Sequence, residues 1–306
     1  MNTKLAAVVA LALALEVAGC AGRKTVWTEE PAKTQPNAGA TAAAQGEGAE
    51  QAQQNPNVAE GDAKWAQRTS AENIKAAIAA WEKAAAETPG DMELLVKLTR
   101  AHYFLADGYL RNDDKEYLKV MDKGVEWGER AMAAASPEFA KMMGEKKKLP
   151  EAVKVVPKEG VPAMYWYASS LGKWAKKKGF AVLLGQKDNV KATMDRCLEL
   201  DPNYYHGGPH RYFGAYYAIA PGFAGGDLEK SKVHFKKSLE IAPNFPGTKV
   251  LWAQELAVKQ QNEELFDKLL AEVLETPDNA IPDLVPEIMV EKQKARELQA
   301  NKDELF

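Results

Sequence analysis

Apolar residues recur every three or four positions along most of the chain from residue 69 onward, the spacing that lines one face of an α-helix. Ile74, Ala77, Ile78, Trp81 and Ala84 form one such stripe, opened by the capping-box pattern Thr69-Ser70-Ala71-Glu72. Leu95, Leu98, His102, Leu105 and Tyr109 form the next, with Asp91 placed to cap it. These two helices are expected to form a hairpin. A third starts after Asn112-Asp113-Asp114 and carries Tyr117, Val120, Met121, Gly124, Trp127 and Gly128. Pro162 suits the first turn of a helix through about Lys178, Asp188 the cap of another ending near Leu200, and Pro209 the opening of a third over about 209–220. Helices near 228–241, 247–260 and 262–275 follow, then a charged one over about 284–302. Residues 137–160 hold three prolines, two glycines and a lysine run, and read as an irregular insert with at most a short helix. No alternating strand pattern competes, so the predicted class is all-α.

Some of these helices share more than a period. Ala77, Trp81, Ala84 and Pro89 follow the pattern small-x3-aromatic-x2-small-x4-Pro, and so do Ser231, Phe235, Ser238 and Pro243. Val190, Met194, Cys197 and Pro202 keep the spacing, as do Leu265, Leu269, Glu272 and Pro277. Pro243 and Pro277 lie 34 residues apart. Leu198-Glu199-Leu200-Asp201-Pro202-Asn203-Tyr204 also recurs as Leu239-Glu240-Ile241-Ala242-Pro243-Asn244-Phe245. This is the second-helix signature and period of tetratricopeptide-like hairpins. It predicts a helical-hairpin solenoid of about four to five degenerate repeats over residues 63–306.

The N-terminal part reads differently. Residues 1–19 have the form of a signal peptide: Lys4, an Ala/Leu/Val run too short to span a bilayer, then Val17-Ala18-Gly19-Cys20. Small residues ending in cysteine resemble the bacterial lipoprotein lipobox, although Glu16 is unusual there. The likeness implies lipidation of Cys20 and, with several acyl chains, a stable membrane anchor. Residues 20–62 are rich in Ala, Gly, Gln, Asn, Pro and Thr, with Trp27 their only aromatic, and are expected to form a flexible tether. Such a coil would hold the body about 35 Å from the membrane. Ala21, in place of the aspartate that retains lipoproteins in the inner membrane of enteric bacteria, points to the outer membrane, inner leaflet, facing the periplasm. With Cys20 lipidated, Cys197 is the one thiol left and no internal disulfide can form. Cys197 holds the repeat position of Ala84 and Ser238, and reads as a small buried residue. A net charge of −3 with intermixed signs argues against a nucleic-acid partner.

One interruption of the repeat carries a family resemblance. Placing Gly214 at the usual first-helix glycine leaves about five residues more than a tetratricopeptide turn needs before Ser231. The enlarged turn Pro221-Gly222-Phe223-Ala224-Gly225-Gly226-Asp227, followed by Lys232-Val233-His234-Phe235, resembles the T component (TatT) of tripartite ATP-independent periplasmic (TRAP) transporters. Gly225, Gly226 and Asp227 form its most specific part, and the likeness covers roughly residues 63–277. It implies a periplasm-facing lipoprotein able to form a homotrimer, contacting the periplasmic solute-binding receptor and offering an apolar cavity to a hydrophobic small ligand. It implies no catalysis. The long tether and the 137–160 insert depart from the family pattern. A competing class is a tetratricopeptide adaptor that organises envelope protein complexes by gripping peptides in its groove.

Candidate chemistry concentrates beside the same turn. Tyr204, Tyr205, Tyr212, Phe213, Tyr216, Tyr217 and Phe223 place seven aromatics in twenty residues. Tyr212 and Tyr216 share one helix face and Phe213 and Tyr217 the neighbouring one, so one face packs while the other is free either to pack or to line a pocket. Candidate ligand-lining residues are Tyr165, Trp166, Tyr205, Tyr212, Tyr216, Tyr217 and Phe223. His206 and His210 are four apart, but Gly207-Gly208-Pro209 between them removes the helical geometry a metal would need, so no metal site or cofactor is expected. Gly225-Gly226 lacks the Lys-Ser/Thr of a phosphate loop. No nucleophile-base or paired-carboxylate spacing stands out, so no catalytic residues are assigned.

Overall fold

The computed structural model describes Arg23, residues 25–28 and residues 55–306; the signal peptide, Cys20 and most of the expected tether lie outside the described residues. Among the described residues there are fourteen α-helices and no strand. They are α1 Pro56–Ala66, α2 Ala71–Glu87, α3 Met92–Tyr109, α4 Asp114–Ala135, α5 Pro137–Gly144, α6 Leu149–Ala152, α7 Val161–Lys178 and α8 Phe180–Leu200. Then follow α9 Tyr204–Ile219, α10 Leu228–Ile241, α11 Pro246–Leu251, α12 Glu263–Glu275, α13 Val285–Ala300 and α14 Lys302–Leu305. None is long and apolar enough to cross a membrane.

The helices pack as five successive hairpins: α1 with α2, α3 with α4, α7 with α8, α9 with α10, and α11 with α12. Several sequence caps hold. Ser70, Asp91 and Asp227 accept from the N–H groups of Asn73, Leu94 and Lys230 at 3.3, 3.1 and 3.0 Å. The repeat positions are where helices cross closely, which is why they are small. The Ser231 hydroxyl donates to the Gly214 carbonyl at 2.6 Å, the Ser238 and Thr248 hydroxyls meet at 3.0 Å, and Cys197 is fully buried. Phe235 stacks on Trp252, centroids 5.5 Å apart, where α11 runs into a π-helical turn over Trp252–Ala257.

Several expectations need correction. A helix, α1, already begins at Pro56, ahead of residue 63, and α2 packs against α1 as well as against α3. With few large apolar residues, α1 gives a weak sequence signal. It nevertheless packs tightly, because Gly61 leaves room for the Trp81 ring, which a Cβ would approach to 2.3 Å. Trp81 also donates to Asp62 at 3.1 Å. Residues 137–160 contain two short helices whose Phe139, Leu149 and Ala152 are buried, followed by a 3-10 turn with buried Val153, so the insert belongs to the core. Helix α8 starts at Phe180, not near Asp188, because Gly179 with φ 114° breaks the chain after α7. Part of the expected tether is also docked: Trp27 packs against Phe139 and Tyr167 at centroid distances of 5.5 and 5.6 Å.

Helix α13 ties the ends of the solenoid together. It packs on α11 and α12, yet its Glu287 accepts from Arg68 at 2.9 Å and from Arg100 at 2.8 Å. Its Lys294 reaches Asp107 of α3 at 2.7 Å, and Glu297 pairs with Arg111 at 2.9 Å. Asp107 is bonded from the other side by Lys173 of α7 at 2.8 Å. Burial pushes the Asp107 carboxyl up, but the two lysines overcome this and hold it well below the usual carboxylate range.

Buried His102 gives the body a pH-dependent stability. Its Nδ1 lies 2.9 Å from the Leu98 carbonyl, and burial lowers its pKa to about 4; the half-exposed Glu82 carboxylate at 4.0 Å does not offset this. The unfolded chain, with a histidine pKa near 6.5, then binds more protons than the folded one below neutrality. Stability is therefore lost as pH falls from about 6.5 towards 4, by about 2 kcal/mol from this group at pH 5. Urea melts at pH 7.5 and pH 5 should show that loss, and His102→Gln should lessen it, with part of the slope remaining because burial also lowers the pKa of His234 to about 4; an unchanged pH slope in the variant would assign the loss elsewhere.

Candidate functional site

The inner faces of α7, α8 and α9 enclose a cleft of about 240 Å³. Helix α8 contributes Phe180, Leu183, Leu184 and Val190 to one wall, and α9 contributes Tyr212, Ala215, Tyr216 and Ile219 to the other. Ala168 and Gly172 of α7 form the floor. The first two turns of α8 cover little core, since its buried positions begin at Val190, so the wall is a projecting edge rather than packed interior.

The enlarged turn forms the rim. Gly225 has φ 96°, in the left-handed region, and a Cβ on Gly226 would lie 1.8 Å from the Ala220 carbonyl oxygen, so both positions require glycine. The turn closes through Gly226 N–H to the Pro221 carbonyl at 3.0 Å and Asp227 N–H to the Tyr217 carbonyl at 2.9 Å. The Tyr216 hydroxyl donates to the Ala224 carbonyl at 3.1 Å, fixing the turn to the cleft wall. Pro221 and Ala224 thus join the lining.

A second, more polar chamber of about 100 Å³ adjoins the cleft, and Tyr103, Tyr165, Lys173, Arg211 and Leu251 line both. Trp166 and Tyr205 face this inner chamber with rings 4.7 Å apart. Burial pushes the Tyr205 hydroxyl up to about 12, so it is a neutral hydrogen-bonding group at any physiological pH.

Charges around the cleft are mostly neutralised. Lys173 pairs with Asp107 at 2.8 Å, Lys176 with Glu255 at 2.7 Å, and Lys187 with Asp188 at 3.2 Å. Arg211 differs. It is 7% exposed, and among the described residues it makes no ion pair. Its guanidinium donates to the carbonyls of His206 at 3.0 Å and Tyr205 at 3.2 Å and to the Tyr165 hydroxyl at 2.9 Å, and lies 4.4 Å over the Phe245 ring. Those carbonyls are aimed by an unusual backbone: Tyr205, His206 and Gly207 have φ 44°, 59° and 68°. Two non-glycine residues held left-handed cost about 1 to 2 kcal/mol each. The His206 ring, stacked on Phe245 at 5.2 Å, helps hold this turn. A buried cation held only by neutral acceptors is suited to receive an anion.

Of the sequence candidates, Tyr165, Tyr212 and Tyr216 line the cleft, while Tyr165, Trp166 and Tyr205 line the inner chamber. Tyr217 lines neither; it packs against Phe213 and His234 at 6.0 and 5.5 Å. Phe223 is 82% exposed beside the rim. His206 and His210 do not converge: His210 Nδ1 instead lies 3.0 Å from Nδ1 of His234. Among the described residues no group of three or more potential metal ligands occurs. Arg211 and the α8 wall were not anticipated, though an arginine inside the aromatic-dense stretch was a visible signal.

A family profile described as TRAP transporter T-component matches residues 110–306, from the end of α3 through the whole cleft-bearing half. The chain belongs to the TRAP transporter T-component family. The family is one of transporter accessory components rather than enzymes. The match extends past residue 277 and takes in α13, while the first hairpin and all of α3 precede it. An uncharacterized protein of Treponema pallidum (strain Nichols) is 23% identical over 197 residues, 61% of this chain and 59% of that protein. The chain therefore aligns with about three fifths of that relative's length. In this T-component, the turn through Gly225, Gly226 and Asp227 is the cleft rim, so the residues that carried the resemblance also shape the site.

Proposed function

We propose that this T-component binds a small amphipathic anion, its apolar body in the cleft and its charged end at Arg211, and passes it to or from the periplasmic solute-binding receptor of a TRAP transporter. The observation that carries this reading is the buried, unneutralised Arg211 at the inner end of an apolar cleft. An apolar wall supplies affinity without selectivity, and one positioned cation supplies orientation. Exposed Phe180, Leu184 and Phe223 around the mouth, at 59%, 40% and 82% exposure, suit contact with the receptor or a neighbouring protomer of a homotrimer. The lipobox-like Val17-Ala18-Gly19-Cys20 supports lipidation of Cys20 and an anchored, periplasm-facing location, with the outer membrane favoured by Ala21. A peptide-gripping adaptor has less support, because α13 already spans from α11 and α12 to Arg68, Arg100, Asp107 and Arg111 of the first two hairpins.

Titration of delipidated protein with a fluorescent polyene fatty acid should give saturable binding that is competed by unlabelled long-chain carboxylates and less well by the matching alcohols. Absence of saturable binding would overturn the ligand reading. Native mass spectrometry should show a trimer carrying apolar ligand, and an empty monomer that captures envelope proteins would favour the adaptor.

A further inference from the structure

Glu129 of α4 is a carboxylate only 1% exposed, and the groups that satisfy it come from about a hundred residues upstream. The Arg23 guanidinium pairs with it through both carboxylate oxygens. The Val26 N–H donates to Oε2 at 3.0 Å. Arg23 Nε also donates to Asp122 at 2.6 Å, two turns earlier on α4. Trp27 completes the joint by donating from Nε1 to the Glu129 carbonyl at 3.2 Å while its ring fills the space between Phe139 and Tyr167. A carboxylate buried this deeply is costly without its cation. The body therefore contains a socket that is complete only with Arg23, Val26 and Trp27 seated.

Arg23 is three residues from Cys20. Three residues span at most about 11 Å, against about 35 Å for a free coil of the expected tether length. We propose that the segment Arg23–Thr28 is a latch that holds the second hairpin against the bilayer surface, so that the body rides on the membrane in one orientation instead of swinging on a long leash. This rests on the reading that Cys20 is lipidated. The partner is the lipid surface itself, brought close by the covalent acyl chains and not by charge. The nearby Lys119 and Lys123 are already paired with Glu116 and Glu126, at 3.3 and 2.6 Å. The contact should therefore form equally on zwitterionic and anionic bilayers. Its consequence is that the cleft, on the following hairpins, faces the periplasm at a set angle.

The test uses the full lipidated chain in phosphatidylcholine vesicles containing a headgroup-labelled acceptor lipid. A donor fluorophore is attached at Lys119→Cys, one helical turn from Asp122, or, in a separate chain, at Lys268→Cys on α12, three hairpins further on; Cys197 is buried and stays unlabelled. Energy transfer should be at least about threefold greater at position 119 than at 268, since the expected separation exceeds the reach of a seated leash. Trp27→Ala, and independently Arg23→Gln, should make the two positions equal while far-ultraviolet circular dichroism stays helical. Equal transfer in the unaltered chain would overturn the latch, as would a difference that survives both variants. Mass spectrometry of the N-terminal peptide separates the premises: an acylated Cys20 with equal transfer sinks the latch alone, whereas an unacylated Cys20 sinks the lipid anchor and the latch with it.

Discussion

Replacing Arg211 with methionine is expected to weaken binding of a long-chain carboxylate by about tenfold to a hundredfold while leaving binding of its methyl ester unchanged. The magnitude follows from a charge-assisted hydrogen bond worth about 1.5 to 3 kcal/mol, with each 1.4 kcal/mol a factor of ten. Methionine keeps the apolar stem that lies on Phe245 and removes the charge. It also leaves the Tyr205 and His206 carbonyls without that donor, which removes a restraint on the left-handed turn. Arg211→Lys controls for this: it retains the charge and loses the fork, and should recover part of the affinity for the acid. Calorimetric titration of acid and ester against the three proteins measures both effects. If acid and ester weaken by the same factor, Arg211 is shaping the cavity and not reading a charge.

Gly226→Ala should cost about 3 kcal/mol, because a Cβ there meets the Ala220 carbonyl oxygen at 1.8 Å and neither partner is a flexible side-chain end. Relief requires the turn to open. That breaks the bonds from Gly226 to Pro221 and from Asp227 to Tyr217, and it withdraws Ala224 from the Tyr216 hydroxyl. For a body of this size, the melting temperature should fall by roughly 6 to 12 °C. Fatty-acid binding should weaken with it, because the rim and the Tyr216 wall move together. Gly222→Ala is the internal control: it lies in the same turn, nothing is within 4 Å of its Cβ, and it should melt within about a degree of the unaltered protein. Equal destabilisation by both substitutions would mean that turn flexibility, not the close approach, sets the requirement for glycine.

The repeat pattern was legible because its cause is local. Ala77, Trp81 and Ala84, or Ser231, Phe235 and Ser238, lie on one helical face whatever surrounds them, and all six are buried. The Gly225-Gly226-Asp227 turn was legible for a similar reason: φ 96° and a close carbonyl leave their mark as glycine. Helix α1 and the latch were not. Gly61 and Trp27 sit in polar, low-complexity sequence, and their role appears only when Trp81 and Glu129, distant in the chain, are brought against them. The aromatic cluster was visible, yet its division was not: Tyr212 and Tyr216 face the cleft beside α8 of the preceding hairpin, while Tyr217 packs on His234 of its own hairpin partner α10.

Helical period, proline exits and cap residues are short-range consequences of backbone geometry, and from them the sequence by itself determined an all-α solenoid of hairpins, its enlarged turn and its family. The tertiary structure alone decided which cation is left over. Lys173, Lys176 and Arg211 look alike along the chain. Only folding places Asp107 beside the first and Glu255 beside the second, and leaves Arg211, among the described residues, with carbonyls, a tyrosine hydroxyl and the rings of Tyr205 and Phe245. Charge compensation depends on distances of a few ångströms between residues tens of positions apart, a quantity that no local pattern encodes.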